Sequence, residues 1–217
     1  MKANTSICQI LPFQEPLRAA LPTDYGNVDY TKFSDQLHRI DELLRLSGVE
    51  KLFVEMSLGQ FYERVGEVKV SMRSHLNYQK HSFRALRSVV LMSLLGGSYR
   101  KMSRRLAECP LFRWFCRIDE IDAVRVAGKS TLQDYANWLP AERMRLVVDT
   151  LLKAAMNGEQ AKGLNLANAI ELETIWMDPT WIKANIHFPV AWNVLTHHLW
   201  VLARLENIDE AKAKKAA

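Results

Sequence analysis

The stretch Phe83-Arg-Ala-Leu-Arg-Ser-Val-Val-Leu-Met-Ser-Leu-Leu-Gly-Gly-Ser-Tyr-Arg-Lys-Met-Ser-Arg-Arg-Leu106 decides how this chain folds. Its apolar residues Phe83, Leu86, Val89, Val90, Leu94 and Leu95 recur at the three- and four-residue spacing of one helical face. Gly96-Gly97 halts that pattern. Ser98 then offers a hydroxyl that can accept an orphan amide hydrogen from the first turn of a new helix through Tyr99, Met102 and Leu106. The spacing predicts two helices joined by a tight turn, the second closed by Pro110.

Towards the N-terminus, Phe33, Leu37, Ile40, Leu43 and Leu44 predict an amphipathic helix from Phe33 to Leu46, with Gly48 as its stop. A second candidate runs from Val49 to Val65 and ends at Gly66. Residues 1–31, with Pro12, Pro16, Pro22 and Gly26, read as an arm. Towards the C-terminus, Leu111 to Arg117 alternates bulky apolar residues with arginine, as a short helix lodged against the others would. An acidic connector, Ile118 to Val126, leads to Gly128-Lys-Ser-Thr131, where Ser130 and Gln133 fit a capping box for a helix lined by Leu132, Tyr135, Ala136 and Leu139. Pro140 ends that helix and opens one carrying Met144, Val147, Val148, Leu151 and Leu152, which stops near Gly158. Near Gly163 the texture changes. Ile170 to Asp178 has strand composition, and Trp181 to Phe188 alternates with period two, so a β-hairpin turning at Asp178-Pro179-Thr180 is expected. The fold class is therefore mainly α, a multi-helix region followed by a hairpin. Divisions fall at 1–67, 68–158 and 159–217, with residues 80–158 expected to fold alone.

A chain of 217 residues, 48% hydrophobic and 24% charged, has the composition of a soluble globular protein that buries its own core. Three cysteines, Cys8, Cys109 and Cys116, show no C-x-x-C spacing, which argues against a disulfide framework or a zinc site and for a reducing cytoplasm. The longest apolar run, Val89 to Leu95, is too short to span a bilayer. The charge is lopsided. Lys69 to Arg117 holds eleven Lys or Arg and one acid, Glu108, a net of +10, which leaves −5 for the rest of a chain whose total is +5. Such a block is either a solvated face or a surface for a polyanion, and the near absence of acids favours the polyanion.

Three motifs in order then resemble one family. Leu-Leu-Gly-Gly-Ser-Tyr-Arg-Lys-Met with Arg-Arg-Leu and Phe-Arg-Trp-Phe-Cys, within Leu86 to Asp119, is similar to the N-terminal domain of DDE-type bacterial insertion-sequence transposases. Gly128 to Tyr135 resembles the Ser-Thr-Leu helix of that family, and Met177-Asp-Pro-Thr180 with Lys183 to Val190 resembles the opening of its catalytic domain. The match spans roughly residues 80 to 195. It implies helix-turn-helix-like elements that bind double-stranded DNA at the ends of an element, followed by the start of an RNase H-like α/β domain. By this analogy the helix from Ser130 to Leu139 is the reading helix, with Lys129, Thr131 and Gln133 near its N-terminal end, where base edges are met. Ser130 and Gln133 acting only as caps remains the alternative. Arg100, Lys101, Arg104 and Arg105 are the expected phosphate contacts, with Arg113 also facing DNA.

The resemblance makes Asp178 the first of three carboxylates that hold two magnesium or manganese ions for phosphodiester transfer. After Asp178 the only acids are Glu206, Asp209 and Glu210, in an Ala/Lys-rich tail, so the second and third carboxylates are missing. A truncated, catalytically incomplete transposase is the expectation, pairing with itself or with a full-length enzyme and with no membrane association. A non-enzymatic helical module for nucleic acid or protein is the other reading. His197-His198 points in two directions on a helix and reads as solvated or packed. Trp176, Trp181, Trp192 and Trp200 offer base-stacking faces, but at this spacing read first as core. Cys116 lacks a base to activate it as a nucleophile.

Overall fold

Ser71, whose hydroxyl accepts from the amide of Ser74, opens a 24-residue helix, α3 (Met72–Leu95), around which the others assemble. The computed structural model describes residues 26–66, 70–118, 124–164, 166 and 195–203. Before α3 come α1 (Val28–Leu46) and α2 (Val49–Val65). After it come α4 (Tyr99–Glu108), α5 (Pro110–Phe115), α6 (Lys129–Ala136), α7 (Ala141–Met156) and α8 (Gly158–Gly163). Residues 195–203 are also helical, and no strand occurs among the described residues. The expected strands, their hairpin and the RNase H-like opening, with Asp178, lie outside the described residues. No described helix is long and apolar enough to cross a membrane.

Every residue of α3 from Ser82 to Leu91 is buried. A helix covered on all sides is the centre of a bundle. It packs on α2 and α6, while α4 packs on α5 and α6, α7 on α2 and α8, and α1 on α2 and α5. One contiguous apolar core draws residues from all eight helices and from Leu195, Leu199, Leu202 and Ala203. That core runs across positions 67/68 and 158/159, where the sequence suggested divisions.

A buried α3 forces its polar residues to find partners inside. Arg87 is fully buried and donates to Asp41 of α1, to both oxygens of Glu50 of α2 (2.5 and 3.1 Å), and to the Phe115 carbonyl at 3.0 Å. Arg117 donates to the same Glu50 at 3.0 Å. The two arginines and two carboxylates balance in charge. Burial on its own lowers the Arg87 pKa, but Glu50 and Asp41 more than offset it and hold the guanidinium above its ordinary value. Arg117 also closes α5 in a left-handed conformation, φ 54°, with its amide on the Trp114 carbonyl and the Ile118 amide on the Arg113 carbonyl. Glycine usually fills that position. Here the Glu50 ion pair and the Phe83 ring, 4.7 Å from the guanidinium, hold arginine in it.

Several local expectations change. α1 begins at Val28, within the stretch read as an arm, because the Asn27 side chain accepts from the Asp29 amide. α3 starts eleven residues before Phe83, through a polar segment without apolar periodicity. Ser130 is not a cap: Gly128 holds that position with no side-chain bond, and Ser130 lies one residue inside α6. Asn157, accepting from the amides of Glu159 and Gln160, starts α8 where a stop was expected.

Candidate nucleic-acid interface

The turn between α3 and α4 is three residues long. Gly96 (φ 62°) and Gly97 (φ 103°) take positive φ, and Ser98 receives the Lys101 amide at 3.3 Å. Arg105 reaches back from the last turn of α4 to the Leu95 and Gly96 carbonyls, each at 3.2 Å, and so ties α4 to the end of α3. α3 and α4 are thus joined by a three-residue turn that carries two glycines in left-handed backbone.

α4 buries Met102 and Leu106 and leaves Arg100, Lys101 and Arg104 exposed. None of the three heads has a hydrogen bond or ion pair among the described residues. Beside them, α4 packs on α6. The first turns of both helices border a cleft of about 780 Å³ lined by Ser93, Gly97, Ser98, Tyr99, Arg100 and Lys129. Two helix N-termini and two cationic heads give this cleft a positive potential that suits a phosphate.

The residues singled out in the sequence separate into three groups. Arg100, Lys101, Arg104 and Lys129 are exposed at this surface. Gln133 is exposed and Thr131 half-buried on α6, following Lys129. Arg105 and Arg113 serve the fold: Arg105 binds the turn carbonyls, and Arg113 donates to the Ala107 carbonyl at 3.3 Å. The +10 block therefore overstates its outward charge. Arg84, held by the Arg117 carbonyl, and Arg87 and Arg117, paired with carboxylates, point into the bundle.

Burial pushes the Cys116 thiol up to about 12, although the Ser88 hydroxyl and the Arg87 and Arg84 charges oppose the shift. Burial thus favours the protonated thiol over the thiolate that a nucleophile requires. Among the described residues no cluster of three or more His, Cys, Asp or Glu side chains could hold a metal ion. The magnesium or manganese expectation rests on Asp178, outside them. The sequence did not single out Ser93 or Tyr99 for this site, because only the packing of α6 on α4 makes them cleft walls. Compared with known proteins, the chain matches no protein-family model, and no curated protein or solved structure is significantly similar to it.

Proposed function

We propose that the chain binds double-stranded DNA through α4 and the N-terminal turn of α6, as the DNA-binding part of a DDE-type transposase. The observation that carries this reading is the set of three exposed cations, Arg100, Lys101 and Arg104, on the second helix of a Gly-Gly-Ser turn, with Lys129 across the cleft. Arg100 and Lys129 take backbone phosphates, and Lys101 and Arg104 extend the contact along the outer face of α4. Thr131 and Gln133 follow Lys129 on α6 as candidates for base edges.

Replacing Arg100, Lys101 and Arg104 together by alanine tests it. Each phosphate contact contributes about −0.9 to the slope of log K against log salt, so three lost contacts flatten the slope by roughly 3. The expected result is that loss, for all duplex sequences alike, with an unchanged melting temperature, because the three side chains are exposed. An unchanged slope overturns the assignment. Binding to an acidic polypeptide but not to DNA would favour the protein-interaction reading.

A further inference from the structure

The cleft between α4 and α6 holds more than its two cations. Among the residues that line it, Ser93, Ser98 and Tyr99 bring three hydroxyl groups beside Arg100 and Lys129, and no acid is among the described residues there. The Ser98 oxygen accepts from the Lys101 amide, which leaves its own hydrogen to donate elsewhere. The Ser93 and Tyr99 hydroxyls and the heads of Arg100 and Lys129 have no partner among the described residues. Ser93 and Tyr99 are half-buried, whereas Arg100 and Lys129 are exposed. The lining is therefore a set of unused donors with a net charge of two cations.

An internal phosphate of a duplex is a diester with one negative charge, and it stands on a convex surface where a single exposed Arg or Lys can meet it. A terminal phosphate is a monoester. It carries close to two negative charges at neutral pH and three strong acceptor oxygens. Two cations balance that charge, and the hydroxyl hydrogens add donors for the third oxygen. A volume of about 780 Å³ also exceeds what a lone phosphate fills and leaves room for the nucleotide that bears it. Outside the cleft the cations continue along α4: the Lys101 stem lies against Gly97, a lining residue, and Arg104 is exposed further on. A strand that ends in the cleft would run its next phosphates past those two side chains, which a free phosphate would leave unused. We propose that this cleft receives the terminal phosphate monoester of a DNA strand, so that the protein favours duplex ends that carry a phosphate. The inference rests on the duplex-binding reading above and names which phosphate the cleft takes.

The experiment measures the affinity of the full chain for one short duplex in three forms, with hydroxyl ends, with 5′-phosphates and with 3′-phosphates. One hydrogen bond to a charged group changes affinity by roughly 10- to 100-fold. The expected result is a gain of about 10-fold for one phosphorylated form over the hydroxyl-ended duplex. Lys129→Gln, at an exposed position, should abolish that gain, and Tyr99→Phe, which removes only the hydroxyl, should reduce it. Lys101→Ala should weaken all three forms and keep their ratio. Equal affinity for the three forms overturns the proposal, as does a gain that survives in both Lys129→Gln and Tyr99→Phe. A gain that falls as far in Lys101→Ala as in Lys129→Gln reflects net charge alone and overturns it too. Inorganic phosphate at roughly 1 mM and constant ionic strength should leave the gain in place, because a bound duplex presents its end at a millimolar effective concentration or above. Loss of the gain there would assign the cleft to free phosphate instead. End-independent duplex binding counts against this inference alone, whereas absence of any duplex binding overturns the duplex reading with it.

Discussion

Arg87 shows how one residue can belong to a charge count and yet contribute nothing to the surface. Its guanidinium is fully buried, 5.4 Å from the centre of the Phe115 ring, and holds carboxylates from two other helices. A buried ion pair stabilises little relative to a well-packed apolar replacement of the whole cluster, but removing one partner leaves the other charges buried and uncompensated. Arg87→Met is expected to cost about 3 to 5 kcal/mol in urea denaturation. Joint replacement of Arg87, Asp41 and Glu50 by apolar residues should recover part of that loss. A cost under about 1 kcal/mol for Arg87→Met would show that the cluster does not hold α1, α2 and α3 together.

At the scale of elements, the α3–α4 connection sets the direction in which α4 presents its cations. Gly97 has φ 103°, and a Cβ there would lie 3.2 Å from Cδ of Lys101. The lysine chain can move aside, so the backbone conformation and not the contact is the main obstacle. Gly97→Ala is expected to destabilise the protein by about 1 to 3 kcal/mol, seen as a melting temperature lower by several degrees. The same change should weaken DNA binding, because α4 shifts relative to the first turn of α6. A Gly97→Ala protein as stable as the parent would mean that the turn tolerates another path. Arg105, which bridges the Leu95 and Gly96 carbonyls, supports the same turn from the other side.

At the scale of the molecule, α1 and α2 share one core with α3 and α4. Phe53 and Val49 of α2 and Leu37, Ile40, Leu43 and Leu44 of α1 enter the core shared with α3. The expectation that residues 80–158 fold alone therefore meets a physical objection: such a fragment lacks Asp41 and Glu50 and uncovers one side of a helix that is buried all round. A fragment of residues 68–166 is expected to melt without cooperativity, whereas residues 26–203 melt in one transition by circular dichroism. A sharp, parent-like transition in the shorter fragment would contradict the dependence on α1 and α2.

What the sequence determined by itself was local. The ends of α2, the Gly96-Gly97 break, the Ser98 cap and the place of Pro110 between α4 and α5 all depend on residues within a turn of one another, and each was legible. Of the expected set Arg100, Lys101, Arg104 and Arg105, the first three are exposed opposite the buried Met102 and Leu106, whereas Arg105 is half-buried on the turn carbonyls, a separation that the sequence did not make. The tertiary structure decided the fate of the other charges. A count of Lys and Arg carries no direction, and Arg84, Arg87 and Arg117 turn inward only because α1, α2 and α5 bring carboxylates and carbonyls to them. It decided that the polar first turns of α3 are helical, which apolar periodicity could not report. It also brought Lys129 to the cleft of Arg100 across a long interval of chain. Such meetings have no local signature, because they arise from how whole helices bury their apolar faces against one another.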